Sequence, residues 1–340
     1  MKMTNRPYMI QLLLLLAALV LSVAAGAVVI PPATILQMLA SKLPGVTANP
    51  DWPKAFEVIV FQIRLPHTAL VALTGAALAA SGGAYQGLFR NPLADPYLIG
   101  VAAGAGLGAV LAMVLREQGW LSGLYVVPLA AFMGAVLTVG VVYLLAYSHN
   151  TESTTTLILA GVAVSSFATA LTSYLMLRSQ GELRRSMAWL FGGATMNGWE
   201  PVMAATPYIL LGLAILLTTG HALNVLQFGE EQAGQLGLSV RRAKGLIILS
   251  ASLVTAAAVA FSGIIGFIGL IIPHVVRILW GADYRRLLPL SLLGGASALL
   301  LADLLARLLL APQELPVGII TSLAGAPFFL WILWRNRKKI

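Results

Sequence analysis

Asp303 and Arg307 stand four residues apart in one of the most apolar stretches of the chain, a spacing that puts both on one helix face and lets them partly neutralise each other. An ionisable residue within a membrane-crossing segment is costly and marks a functional candidate, while an ion pair near the outer end of a helix can also be purely structural. Both readings stay open from sequence. A proton relay would need a series of such carboxylates, and Asp303 is the only acidic residue inside any apolar span. Bond chemistry finds little support: the chain has no cysteine, no HExxH, no serine–lysine dyad and no paired aspartates at usable positions. The Gly104-Ala-Gly-Leu-Gly108 run follows no strand, so it is not a dinucleotide turn, and no GxxxxGK[ST] sequence occurs. If ATP drives this protein, another chain binds it.

A second charged feature is the segment 227–244, QFGEEQAGQLGLSVRRAK, set between long apolar runs. It holds two of the twelve acidic and three of the twenty-one basic residues. Such a segment cannot lie in hydrocarbon and must face water. The spacing predicts a short helix over 230–236, a break at Gly237, and the next span from Val240. Phe228, Ala233, Leu236 and Leu238 can supply apolar contacts, with Glu230, Glu231, Arg241 and Arg242 around them. That ordered pattern points to a docking site for a soluble partner rather than a merely solvated loop.

The elements that must carry these residues are membrane helices. Hydrophobic residues make up 59% of the 340 and charged residues 10%, far from the roughly 25% charged of a soluble domain. The apolar runs are continuous rather than alternating, which excludes a β-barrel. Spans are expected near 8–30, 66–88, 97–115, 122–147, 155–177, 201–222, 246–262, 287–311 and 316–334, and the shorter piece 264–280 makes ten. The stretch 8–30 is read as a retained first helix rather than a signal peptide, since it is long enough to cross about 30 Å of hydrocarbon.

An even number of spans puts both termini on one side. With that side cytoplasmic, thirteen basic residues fall inside and seven outside, with Arg307 in or near the membrane. The bias follows the positive-inside rule, so the net charge of +9 is a topology signal and no nucleic-acid partner is implied. External segments are expected at 31–63, with Pro44, Pro50 and Pro53 as breakers, and at 179–200, with an amphipathic helix around Trp189-Leu190-Phe191.

Glycines recur every four residues at Gly100, Gly104 and Gly108 and at Gly83 and Gly87, a spacing that lets helix backbones approach closely. Arg90-Asn-Pro-Leu-Ala-Asp-Pro96 reads as a rigid connector whose Asp95 can cap the helix that starts near Tyr97.

Three blocks carry a family resemblance: IRLPHTALVALTGAALAASGGAYQGLFRNPLADPYLIGVAAGAGLGA at 63–109, GFIGLIIPHVVRILWGADYRRLLPLS at 266–291, and ASALLLADLLARLLLAPQELPVGIITSLAGAPFFLWIL at 296–333. In these the chain resembles the permease subunits of ABC importers for iron-siderophores, haem and cobalamin, and the C-terminal block looks nearest to the cobalamin permease. The resemblance covers nearly the whole chain. It implies ten helices per subunit, a homodimer around one central pathway, two ATPase subunits below and an extracytoplasmic substrate-binding protein above. By the same resemblance, the ATPase-coupling element falls on Glu230, Glu231, Ala233, Leu236, Gly237 and Leu238. Arg64, His67 and Arg307 match positions that dock the binding protein, although the family often has Arg where this chain has His67. Thr154 and Thr155 match the narrow cytoplasmic gate. Arg178, at the outer end of the fifth span, is a candidate for touching an anionic group in the pathway.

The fold class expected is therefore an all-α polytopic membrane protein with ten transmembrane helices and both termini cytoplasmic. It forms one permease domain over 1–340, with external segments at 31–63 and 179–200 and a cytoplasmic coupling segment at 223–245. The function expected is import of a metal chelate by alternating access in the cell membrane of a prokaryote, with a second copy, ATPases, a binding protein and lipid as partners. No catalytic residue, metal or cofactor is expected in this chain, ATP and Mg belonging to the partner ATPase. The alternative is a stand-alone ion-coupled secondary carrier, disfavoured by the scarcity of intramembrane carboxylates and by the docking-like segment.

Overall fold

The computed structural model describes residues 5–26, 28, 30–42, 52–147, 154–179, 181–193 and 198–336. Pro44 and Pro50 of the first external segment and the last four residues lie outside that set, as do the side chains of Arg335 and Asn336. Among the described residues every regular element is a helix. Seven helices are long and apolar enough to cross a membrane, and two shorter apolar helices accompany them.

The first span ends sooner than its hydropathy suggests. Helix α1 covers Arg6–Ala24 rather than running to residue 30, and Ala25 turns to extended backbone. A short helix, α2 (Pro32–Ala40), follows. The next helical run begins well before residue 66: α3 (Lys54–Val58) leads through a π-helical stretch, Ile59–Arg64, into α4 (Leu65–Leu88) without a break. Apolar content continues across the segment expected to be an external loop, and nothing in its sequence stops the helix after Pro53.

After α4 the RNPLADP connector turns the chain. Asp95 Oδ1 accepts the backbone N–H of Tyr97 at 2.8 Å, capping a single 3-10 turn, Pro96–Ile99. Gly100, at φ +86°, then opens α5 (Val101–Glu117). Helices α6 (Val126–Tyr147) and α7 (Thr154–Arg178) complete the first half. In the second half come the short α8 (Leu183–Leu190), α9 (Trp199–Thr218) and α10 (Gly220–Leu226), the last two being one expected span broken at Thr219. They are followed by the six-residue α11 (Glu230–Gln235), α12 (Val240–Ser262), α13 (Ile268–Trp280), α14 (Tyr284–Leu309) and α15 (Val317–Asn336).

Helices α4, α12 and α14 form the centre, α4 lying along both others. The spans differ sharply in burial: 72% of the apolar window of α12 is buried within the chain, against 17% for α7. Helix α7 therefore offers most of its surface outside this chain. Small residues make the close crossings. A Cβ on Gly82 of α4 would lie 1.9 Å from the carbonyl oxygen of Gly269, and one on Gly108 of α5 would lie 2.0 Å from that of Ala130 on α6. Where lipid supplies no hydrophobic drive between helices, such approach lets dispersion hold them together. Gly104 and Gly108 act as their spacing suggests, while Gly100 sits just before the helix as its left-handed cap.

Candidate functional site

Two polar clusters interrupt the apolar bundle. The first joins α4 and α14 to the end of α1. His67 Nε2 lies 2.9 Å from Asp303 Oδ1, and Arg307 Nε donates to Asp303 Oδ2 at 2.9 Å. The rest of the Arg307 guanidinium turns to α1, donating to the carbonyls of Ser22 and Ala25 at 3.2 Å each and to Ser22 Oγ at 3.1 Å. Arg64 donates to the carbonyls of Val23 and Ala24 at 2.9 and 3.0 Å and also reaches the carbonyl of Val28. The last carbonyls of a helix have no partner within it and carry its negative dipole end, so two guanidinium groups are well placed there.

This arrangement settles how a single carboxylate sits so far from water. Asp303 is 5% exposed and has two partners, one on each side. The sequence shows only the i,i+4 pair; His67 lies 236 positions away and is brought in by the α4–α14 crossing. Arg64 is itself only 7% exposed, whereas the His67 side chain is 34% exposed. The three residues matched to binding-protein docking thus share one site, but both arginines have partners inside the chain. They line, with Arg184 and Arg185 of α8, a cavity of about 670 Å³ whose remaining wall is mostly apolar.

The second cluster surrounds α11. Gly229 at φ +106° and Gly237 at φ +86° turn the chain at its two ends, conformations that an L side chain rarely adopts. The end is closed by Leu238 N–H donating to the Ala233 carbonyl at 3.0 Å and Gly237 N–H to that of Gly234 at 2.9 Å, a Schellman-type stop. The side chains then divide between a buried and an exposed face. Ala233 is fully buried against the body, while Glu231, Leu236 and Gly237 are exposed and Leu238 is half-buried. Leu236 is 66% exposed and Phe228 69%, large apolar side chains displayed beside a carboxylate.

Glu230 behaves differently from its neighbour. Both its oxygens accept from Lys244 Nζ at 3.0 Å, and its Oε1 also accepts from Thr154 Oγ1 at 3.3 Å. Lys244, which the charge pattern assigns to the watery face, is only 2% exposed. Thr154 is the first residue of α7, with Thr155 exposed beside it. Arg178, the last residue of α7, is exposed at the opposite end.

The RNPLADP connector packs close by. Gln227 Nε2 donates to the Gly87 carbonyl at 2.9 Å, joining the end of α4 to the start of the segment. Burial pushes the Asp95 carboxyl up to about 6 against the pull of its hydrogen bond from Tyr97. Asp283, which caps α14 and receives the Asn224 amide at 2.6 Å, is held below the usual carboxylate range chiefly by its bonds from Arg285. Among the described residues no group of three or more histidines and carboxylates is placed to hold a metal ion.

A short helix bounded by two glycine turns at one face and a cavity lined by four arginines elsewhere are the two candidate sites. Residues 14–335 match the FecCD transport family. The cobalamin import system permease BtuC of Halobacterium salinarum is 47% identical over 84% of this chain and 76% of its own length. The hemin transport system permease HmuU of Yersinia pestis is 42% identical over 83% of this chain and 84% of its own. A solved structure of a metal-chelate type ABC transporter in an inward-facing conformation superposes with a TM-score of 0.82 and 34% identity, over 98% of this chain and all of that one.

Proposed function

The chain belongs to the FecCD transport family, and from that premise we propose that it is the membrane permease subunit of an ATP-binding-cassette importer for a metal chelate, cobalamin, ferric siderophore or haem. It is a multi-pass membrane protein whose family supplies the transport path, not the hydrolytic site. Ten spans with both termini cytoplasmic remain our reading. The seven long helices, the two shorter ones α13 and α15, and α5 at 17 residues add up to that number.

The observation that carries the proposal is α11. A six-residue helix bounded by two left-handed glycines, fixed by one buried alanine and presenting Glu231 and Leu236 outward, is built to be gripped by another protein. We assign Glu231, Leu236, Gly237 and Leu238 to the ATPase contact, with Ala233 seating the helix. Thr154 and Thr155 form the cytoplasmic gate, and the exposed face of α7 borders the path and the second copy. Arg178 stays a pathway candidate at the far end. Binding-protein docking falls on the face that carries Arg64, His67 and Arg307. There His67 offers an accessible edge, and the two engaged arginines contribute positive potential from below. Alternating access follows if ATP binding and hydrolysis on two partner subunits move α11 in each of two copies. The cobalamin and haem relatives are similarly close, so likeness to them does not choose the cargo.

The test is reconstitution in liposomes with the cognate ATPase, comparing wild type with Glu231→Arg. The expected result is hydrolysis stimulated by the loaded binding protein in wild type, and weaker assembly with loss of that stimulation in the variant. Substrate movement by the chain alone on an ion gradient would replace the importer reading with the stand-alone carrier.

A further inference from the structure

Glu230 and Lys244 do something the docking role does not require. Lys244 is a cation almost wholly removed from solvent, and its ammonium meets both oxygens of Glu230 at 3.0 Å. Lys244 belongs to α12, the helix most deeply packed in the bundle, and Glu230 is the first residue of α11. The same carboxylate takes the Thr154 hydroxyl at 3.3 Å, at the first residue of the least packed span. One acidic side chain therefore links three elements of very different burial: a short surface helix with glycine turns at both ends, a deeply packed central helix and an exposed one.

We propose that Glu230 and Lys244 are positioning residues for transport, a strut that seats α11 on α12 and passes its displacement to the start of α7 through Thr154. This rests on the importer reading and changes the role given to Glu230, from surface contact to internal linkage. A carboxylate held at two points by an ammonium keeps a fixed orientation. A shift of α11 then breaks the Glu230–Thr154 bond before the ammonium contacts, because it is the longest of the three and has a neutral donor. Hydrogen bonds weaken steeply with stretch and misalignment, so the bond to the gate helix breaks or reforms over a small movement. A Thr-to-carboxylate bond suits this use better than an ion pair, which would hold α7 too firmly to release.

The experiment measures substrate moved per ATP hydrolysed in proteoliposomes containing the full complex, alongside co-purification of the ATPase. Thr154→Val removes the hydroxyl and keeps the shape; Thr154→Ser keeps the bond. The expected result is assembly in both, with transport per ATP falling about fivefold or more in the valine variant, the lower end of ordinary coupling between sites. The serine variant stays near wild type. Glu230→Gln, which removes the charge but keeps acceptor and size, is expected to uncouple as well, and the swap Glu230→Lys with Lys244→Glu to recover part of the loss. If Glu230→Gln does not fold, Glu230→Gln with Lys244→Met replaces it and is expected to assemble but remain uncoupled. Unchanged transport per ATP in Thr154→Val and in the Glu230 variant overturns the strut while leaving the importer reading intact. A wild-type chain that never associates with an ATPase overturns both.

Discussion

Replacing Asp303 with Asn tests whether the outer network is a structural lock. The side chains of Asp303 and Arg307 are 7% and 11% exposed, and among the described residues Asp303 is the only carboxylate in contact with Arg307. Removing one partner of a buried pair costs about 3–5 kcal/mol, because the remaining charge is left without compensation. Arg307 keeps three bonds to the end of α1, two to carbonyls and one to Ser22 Oγ. The lower end, about 3 kcal/mol, is therefore expected for Asp303→Asn. Unfolding free energy from detergent titration reads it, and an Asp303→Asn protein within about 1 kcal/mol of wild type would refute the idea that the pair is electrostatically buried.

Two further expectations concern packing and pH. Gly82→Ala places a methyl 1.9 Å from the Gly269 carbonyl oxygen, between two backbones with no flexible side chain to yield. It is expected to destabilise by about 1–3 kcal/mol or more, read as a lower unfolding midpoint, and an unchanged midpoint would mean α4 and α13 are not in contact. Asp95 titrates near 6 in the folded chain against an ordinary value of 3.8. The folded state holds this proton more tightly, so the contribution to stability is full at low pH, declines as pH rises between those values and is lost above them. Asp95→Asn keeps the cap on Tyr97 without a charge to bury, so it should unfold later than wild type at pH 7 and nearly level with it in acid. The opposite order would sink the assignment.

What could be read from the sequence was what short-range pattern controls. The break at Gly237, the helix from Glu230 and the Asp95 cap each depend on residues within one or two turns, and the four-residue spacing of Gly104 and Gly108 marks the face that packs on α6. The helix ends were harder. The first span stops at Ala24 because the chain turns there and two arginines from α4's approach and α14 take up its carbonyls, which hydropathy does not register. The helix leading to α4 starts at Lys54 because its π-helical stretch is apolar and carries no breaker after Pro53.

Beyond the i,i+4 pair of Asp303 and Arg307, charge placement was legible only as a total. Counted by sign and side, Lys244 is one of thirteen inner cations; in the fold it is a buried partner of Glu230. Arg64 counts as an outer cation and Arg307 as one in or near the membrane, yet both donate to the end of α1. In both cases the fold makes the pairing: Lys244 and Glu230 meet from separate helices, and the two arginines meet backbone carbonyls of α1. Around the cavity, His67 and the arginines of α8 are the more accessible polar side chains, while the buried Asp303–Arg307 pair ties α14 to α4 and α1. At α11 the division repeats, with Glu231 exposed and Glu230 turned to Lys244 of α12. Adjacent residues of a helix are rotated by about 100°, which leaves Glu231 exposed while Glu230 meets Lys244.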